Sequence, residues 1–327
     1  MPLLNETSYP LWRIFKNGHF NTIYKTISSH FKINYIRKRI LTDDDDFIDL
    51  DISSVNSKRV VMAIHGLEGS SKSSYILALT HYLNSKNTDV IAVNLRGCSG
   101  ESNKKLQTYH SGKTDDLDFI IKHVVTNFEY SEINIVGFSL GGNLTLKYMG
   151  EYAYKMPPQV KRAVAISAPC SLEDSSIQLA KPASYIYMAK FLKSLKVKAL
   201  EKIDSFANSG LNKKTILASK NFHDFDGVFT APVFGFKSAQ DYWTKNSSLH
   251  FLTSINKPTL LINALDDPFL MGRCYPFEIA KKQPYFSFLP TTHGGHVGFN
   301  STFNKYNNLW VEQRVLNFLN DECSTSQ

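Results

Sequence analysis

Short runs of apolar residues alternate with helical patterns between residues 59 and 167. Between the second and third runs, apolar residues from Leu117 to Phe128 recur at spacings of three and four, which predicts a helix packed on a sheet. Nearly uninterrupted apolar runs are typical of parallel strands that are covered on both faces. The pattern therefore predicts an α/β fold with a mostly parallel central sheet and flanking helices. The four runs are RVVMAIH (59–65), DVIAVNL (89–95), INIVGF (133–138) and RAVAIS (162–167).

This alternation stops at about residue 170 and resumes after residue 254. The later strands are expected in PTLLINA (258–264) and YFSFLP (285–290), and a closing helix at about 305–319. We therefore expect a single domain over residues 1–327 with an inserted cap segment at 170–254. Within the insertion, the stretch 184–203 interleaves apolar residues such as Ile186 with lysines. The acidic turn in TDDDDFIDLDIS precedes an alternating segment that is expected to form an antiparallel edge strand.

Composition narrows the function classes. Lys and Arg outnumber Asp and Glu by 37 to 29, and the net charge of +8 favours loose association with an anionic membrane surface. No recognition motif accompanies the charge, so we do not expect nucleic acid binding. The four cysteines are far apart and form no CxxC pair, which argues for free thiols. The N-terminal residues lack the layout of a secretory signal, so a cytoplasmic protein is expected.

The stretch INIVGFSLGGN (133–143) places a glycine two residues on either side of Ser139, directly after a predicted strand. A serine on a sharp turn from strand to helix needs a positive φ and close backbone neighbours, which glycines permit. The following helix would direct its N-terminal N–H groups towards an oxyanion. These features favour a nucleophilic Ser139 over an ordinary loop serine.

A serine nucleophile needs a histidine base, and the histidine needs an acid that orients it. The strand PTLLINA runs into LDDPFL, so Asp266 or Asp267 is the candidate acid. The late loop TTHGGHVGF contains His293 and His296, and His296 is preferred because glycines flank it. A zinc site at this His-x-x-His pair lacks a third ligand at any recognised spacing.

The loop HGLEGSSKSSY after the first strand lies where one oxyanion donor is expected. The backbone N–H of Leu67 would be this donor, and that of Leu140 would be the second. His65, at the end of the strand, is expected to be a packed histidine with no part in proton transfer.

These residues resemble the YheT-like α/β-hydrolases, which include the embryogenesis-associated type. The resemblance spans nearly the whole chain. The segment NGHFNTIY near the N-terminus is similar to a Gly-His-x-Gln-Thr segment of the family, with Asn21 in place of the glutamine. It implies an α/β-hydrolase fold and a relay of Ser139, Asp267 and His296, with Asp266 in reserve. It is carried by HGLEGSSKSSY, NLRGCSGESN, YHSGKTDDL, VGFSLGGNLTLKYMGE, FDGVFTAPVFGFKSAQDYW, INALDDPF and GGHVGF.

Other candidates have simpler interpretations. His110 and Asp115 form an H-x4-D pattern that is associated with acyl transfer in other hydrolases, but Asp115 is expected to cap the helix that starts near Asp116. Cys98 precedes a loop and is expected to be structural. Arg96 is expected to brace that loop by ionic contacts.

The sequence therefore predicts a serine carboxylic-ester hydrolase that acts on small-molecule acyl esters, lipid-like esters among them, without metal or organic cofactor. Two alternatives stay open. The same triad could transfer the acyl group to another alcohol, and the fold could serve as a non-catalytic ligand-binding module.

Overall fold

The fold is built around one eight-stranded sheet. The computed structural model describes residues 3–4, 11–28 and 31–320. The strand order is β1-β2-β4-β3-β5-β6-β7-β8; β2 runs antiparallel to both of its neighbours, and the pairs from β4 to β8 are parallel. The strands are β1 (Ile36–Leu41), β2 (Phe47–Ser53), β3 (Arg59–Ile64), β4 (Asp89–Asn94), β5 (Glu132–Phe138), β6 (Val160–Ile166), β7 (Thr259–Ala264) and β8 (Phe286–Thr291).

Helices cover both faces of this sheet. Apolar residues of α3, α4 and α11 pack on one face, and those of α2 and α12 pack on the other. Because both faces are covered, the central strands consist mostly of apolar residues. The helices are α1 (Gly18–Ser28), α2 (Ser74–Asn84), α3 (Thr114–Asn127), α4 (Leu140–Glu151), α5 (Leu172–Ala180), α6 (Tyr185–Ser205), α7 (Lys213–Ala218), α8 (Phe222–Phe225), α9 (Ala231–Phe234), α10 (Ala239–Asn246), α11 (Phe277–Lys282) and α12 (Trp310–Leu319).

The six strands expected from apolar runs are confirmed, and so is the closing helix, which begins at Trp310 after a short 3-10 turn. The expected edge strand is wrong in position. The segment Phe47–Ser53 is antiparallel, but it lies second from the edge and is buried, while β1 forms the edge. The hydrophobic pattern does not predict strand β1 (IRKRIL), because five of its six residues are exposed and two of them are arginines.

Between β6 and β7 the chain forms helices α5 to α10 and no strand, and we refer to these helices as the cap. The cap has its own apolar cluster, which includes Met188 and Leu192 of α6. Phe191 and Leu195 pack against this cluster, whereas Ile186 is 69% exposed. Leu252, after α10, is buried in the main core against the α4 side of the sheet.

Within the described ranges, no helix combines the length and the apolar character needed to cross a membrane.

Candidate active site

Ser139 lies between the end of β5 and the start of α4. Its backbone has φ 53° and ψ −120°, a conformation that is costly for a residue with a side chain. The backbone N–H of Ser139 donates to the carbonyl of Ile166 at 2.8 Å, which ties the turn to the neighbouring strand β6. The strand, the turn and the helix together hold the serine in this unfavourable conformation.

The flanking glycines are required by close packing. A Cβ at Gly137 would lie 2.1 Å from the carbonyl oxygen of Gly141. A Cβ at Gly141 would lie 2.4 Å from the carbonyl oxygen of Ile64, at the end of β3. Real Cβ contacts are longer than 3.0 Å, so α4 can approach the sheet this closely only with glycine at both positions.

The structure brings Ser139, His296 and Asp267 into one hydrogen-bonded chain. The Nε2 atom of His296 lies 2.8 Å from Ser139 Oγ. Its Nδ1 atom lies 2.9 Å from Oδ2 and 3.1 Å from Oδ1 of Asp267. If Nδ1–H donates to the carboxylate, Nε2 is free to accept the serine proton. The ring of Phe269 stacks on the imidazole with 3.9 Å between centroids.

His296 belongs to a loop, residues 293–299, that we call the histidine loop. Three consecutive backbone N–H groups of this loop donate to side-chain oxygens from three separate parts of the chain. Gly295 donates to Asp266 Oδ1 at 2.8 Å, His296 to Thr22 Oγ1 at 2.8 Å, and Val297 to Ser167 Oγ at 2.9 Å.

Asp266 and His293, the reserve candidates, contact each other away from Ser139. His293 Nδ1 lies 3.4 Å from Asp266 Oδ2. Burial raises the pKa of Asp266 above its usual value, although its hydrogen bond from Gly295 opposes the shift. The structure thus gives the two neighbouring aspartates different partners: Asp267 contacts the imidazole, and Asp266 contacts the histidine loop.

The two expected oxyanion donors, Leu67 and Leu140, line the same cavity as Ser139. Leu140 is the first residue of α4, where backbone N–H groups have no partner inside the helix. The loop that carries Leu67 passes very close to the serine, because a Cβ at Gly66 would lie 2.9 Å from Ser139 Cβ.

Glu68, directly after Leu67, has a positive φ of 56° and a buried side chain. Its carboxylate accepts from the Tyr109 hydroxyl at 2.7 Å, from Lys198 Nζ at 3.0 Å and from the Ser194 hydroxyl. Its backbone N–H donates to the Tyr109 hydroxyl at 2.8 Å. Since Ser194 and Lys198 belong to α6, the Glu68 carboxylate links the loop of Leu67 to the cap.

A cavity of about 1060 Å³, partly open to solvent, connects Ser139 and His296 with the cap. Its polar wall includes Glu68, Lys198, His110 and Asp226. Burial raises the pKa of Asp226 to about 6, against the opposing hydrogen bonds from Thr230 and Trp243. Its apolar lining comes mainly from the cap and includes Leu172, Leu179, Phe191, Leu195, Phe222, Phe225, Phe229 and Phe234.

His110 and Asp115 do not form a hydrogen-bonded pair. His110 lines the cavity among aromatic rings, and burial lowers its pKa to about 3. Asp115 contacts Lys113 at 2.6 Å. The expected cap position is wrong, since α3 begins at Thr114 and Asp115 is its second residue.

Three structural expectations are confirmed. Arg96 forms ion pairs with Asp116 at 2.7 Å and with Asp44 at 2.8 Å. Burial raises the pKa of Cys98 to about 12, so its thiol stays protonated and is a poor nucleophile. His65 is fully buried; its Nδ1 lies 2.7 Å from the Gly66 carbonyl, and its Nε2 accepts from the Leu95 N–H at 3.1 Å.

No group of three or more histidine, cysteine or acidic side chains in the described part of the chain could hold a metal ion. Cys98, Cys170 and Cys274 are buried free thiols, whereas Cys323 lies outside the described residues.

Comparison with known proteins shows the family of this chain. The family model described as alpha/beta hydrolase fold matches residues 59–271. The chain belongs to the α/β-hydrolase family. Within it, the chain is 31% identical over 313 residues to the Escherichia coli (strain K12) protein named "Putative esterase YheT", covering 94% of this chain and 91% of that protein. The resemblance to YheT-like hydrolases and the α/β-hydrolase fold are therefore confirmed.

Two further proteins are similar to this chain. Phospholipase ABHD3 of Bos taurus is 29% identical, with 91% of this chain and 74% of that protein covered. The solved structure of the Pyrococcus furiosus esterase Pf2001 superimposes with a TM-score of 0.58 at 18% identity, covering 88% of this chain and 91% of that one. This likeness concerns the fold.

Sequence reasoning did not identify Thr22, Ser167 or Phe269 as parts of the site. Thr22 and Phe269 each carried a signal, because they lie in NGHFNTIY and INALDDPF, which resemble family motifs.

Proposed function

We propose that this protein is a serine esterase that works through a covalent acyl-enzyme, with Ser139 as nucleophile, His296 as base and Asp267 as orienting acid. That it is a carboxylic-ester hydrolase is confirmed by its family and by relatives named as esterase and lipase. The observation that carries the catalytic assignment is the 2.8 Å contact between His296 Nε2 and Ser139 Oγ, with Asp267 behind the same ring.

The reaction proceeds in two halves. His296 takes the proton of Ser139 as the oxygen attacks the ester carbonyl, and Asp267 stabilises the imidazolium that forms. The N–H groups of Leu67 and Leu140 stabilise the oxyanion, and each such donor is typically worth roughly 2.7–4 kcal/mol. His296 then protonates the departing alcohol. Water enters, and the same groups release the acid and restore Ser139.

The cavity supports an apolar acyl group as substrate. Aromatic and aliphatic side chains of the cap line it next to Ser139, as is usual for sites that bind apolar ligands. We propose that the cap, which lies within the expected insertion at residues 170–254, shapes this acyl-binding space within a single hydrolase domain.

A loose association with anionic membranes is a separate proposal. Ile186, Lys190, Lys193 and Val197 recur along α6 at spacings of four, three and four, and all four are exposed. A face of this kind combines apolar contact with attraction to anionic lipid. Equal sedimentation with neutral and anionic vesicles would count against it.

The catalytic assignment is tested with short acyl esters and a fluorophosphonate probe, on the native protein and on Ser139→Ala. We expect native turnover and labelling, and a loss of at least about 10⁴-fold in kcat for the variant. Native protein that neither reacts with the probe nor hydrolyses any ester would favour the non-catalytic module. Products formed with an added alcohol would reveal acyl transfer, because the alcohol competes with water for the acyl-enzyme.

A further inference from the structure

The segment NGHFNTIY (17–24), which includes the first turns of α1, packs directly against the histidine loop. A Cβ at Gly18 would lie 2.0 Å from the carbonyl oxygen of Asp266, and a Cβ at Gly295 would lie 2.3 Å from the carbonyl oxygen of Gly18. Gly295 also has a positive φ of 59°. Such close backbone approach needs glycine on both sides, so the helix and the loop are fitted to each other.

Thr22 provides the central contact. Its hydroxyl donates to the Gly18 carbonyl at 2.7 Å and accepts the backbone N–H of His296 at 2.8 Å. Thr22 is 7% exposed and His296 is 8% exposed. Because water does not readily reach this N–H, the hydroxyl is the group that satisfies it.

Asn21 holds the far end of the loop. Its side chain is fully buried, and its Nδ2 donates to the carbonyls of Phe15 at 2.9 Å and Asn300 at 3.1 Å. Its Oδ1 accepts the backbone N–H of Asn300 at 2.9 Å and the Asn300 side-chain amide at 2.8 Å. The residues that follow the histidine loop are therefore fixed to the same helix.

A second route from α1 reaches the imidazole ring. His19 stacks on Tyr187 of the cap with 5.8 Å between centroids and an angle of 6°. Tyr187 contacts Phe269 at 4.8 Å, and Phe269 stacks on His296 at 3.9 Å. Helix α1 thus contacts the backbone of His296 directly. It reaches the imidazole ring of His296 through Tyr187 of the cap and then Phe269.

We propose that α1 is a built-in positioning element of the active site, in which Thr22 and Asn21 hold His296 in line between Asp267 and Ser139. The proposal rests on the proposed function for its kinetic consequences. Asp266 and Ser167 anchor the neighbouring N–H groups from the ends of β7 and β6, whereas Thr22 comes from outside the sheet. A catalytic group displaced by about 1 Å can lose about 10²-fold in rate, so this anchor matters although it touches no substrate.

The test compares Thr22→Val, which keeps the shape and removes the acceptor, with Thr22→Ser, which restores a hydroxyl. Thr26→Val is the matched control, because Thr26 lies one turn later, is exposed, and donates its hydroxyl to the Thr22 carbonyl of the same helix at 3.3 Å. We expect Thr22→Val to lower kcat and the rate of fluorophosphonate labelling about 10-fold, with KM within twofold of native. Thr22→Ser and Thr26→Val should stay within twofold of native in kcat. A fall in Thr26→Val equal to that in Thr22→Val, or no rescue by serine, would overturn the proposal.

Amide hydrogen exchange in residues 294–299 measures the same anchor without any substrate. Exchange of the His296 N–H should be about 10-fold faster in Thr22→Val and unchanged in Thr26→Val. Unchanged exchange in Thr22→Val would overturn the proposal whether or not the protein hydrolyses esters. A native protein with no turnover would instead contradict the proposed function, and the exchange comparison would still decide the role of α1.

Discussion

Glu68 and Lys198 form an ion pair of 3.0 Å that joins the loop after β3 to the cap helix α6. Glu68 follows Leu67, whose N–H is the proposed oxyanion donor. The packing of the cap against the core therefore helps to orient the backbone N–H of Leu67.

Replacing Glu68 by alanine is expected to lower kcat about 10-fold. Tyr109, Ser194 and Lys198 would lose their common acceptor, and partial misplacement of one oxyanion donor costs about 1.4 kcal/mol, half or less of its usual worth. Ester kinetics would check this, with Lys190→Met, on the exposed face of α6, as the control. A Glu68→Ala enzyme with native kcat would show that the cap does not position Leu67.

The adjacent aspartates provide a matched pair. Asp267→Asn should lower kcat by on the order of 10⁴-fold, because the amide cannot stabilise an imidazolium and favours the wrong histidine tautomer. Asp266→Asn should stay within about 10-fold, since an amide oxygen can still accept the Gly295 N–H. Both are measured as kcat on one ester. Equal losses would remove the distinction that the structure draws between them.

Gly137→Ala should prevent stable folding or cost more than about 4 kcal/mol, because its methyl group would collide with backbone of α4 at 2.1 Å. Gly227→Ala is the control, since a Cβ there meets nothing within 4 Å. Denaturant unfolding of both variants measures the difference. A Gly137→Ala protein as stable as Gly227→Ala would mean that α4 does not pack this closely.

Acid should destabilise the protein through His65. Burial lowers its folded pKa to about 4, below the usual 6.5, so the unfolded chain binds the proton more tightly. The contribution of His65 to the free energy of unfolding is therefore fully present above pH 6.5 and is lost as the pH falls towards 4. The loss amounts to about 2 kcal/mol between pH 8 and pH 5. His65→Asn should lose about 2 kcal/mol less than native over that interval in urea unfolding. Parallel losses in the two proteins would contradict the assignment.

The central sheet was predictable because its strands are buried on both faces and their apolar runs are nearly continuous. Ser139 was predictable because its turn requires Gly137 and Gly141, which leave a recognisable spacing. The choice of Asp267 over Asp266 needed the family resemblance, since adjacent residues differ in direction only through the geometry of their turn.

Other features depend on contacts that the local pattern does not encode. Strand β1 lacks an apolar run because it contains Arg37 and Arg39. These arginines form ion pairs with Asp51 and Asp49 of β2. Helix α6 carries apolar residues on several faces, and only packing shows that Met188 is buried while Ile186 is exposed. Thr22 is 274 positions from His296, which no spacing rule connects.

The contact of α1 with the histidine loop forms only after both segments have been synthesised. The ribosome synthesises α1 before Ser139, and His296 follows Ser139 by 157 positions. A nascent chain that stops before residue 296 would carry Ser139 without its proposed base, and α1 without the loop that packs against it. Hydrolytic capacity would therefore be acquired only after the histidine loop has been synthesised and has reached α1.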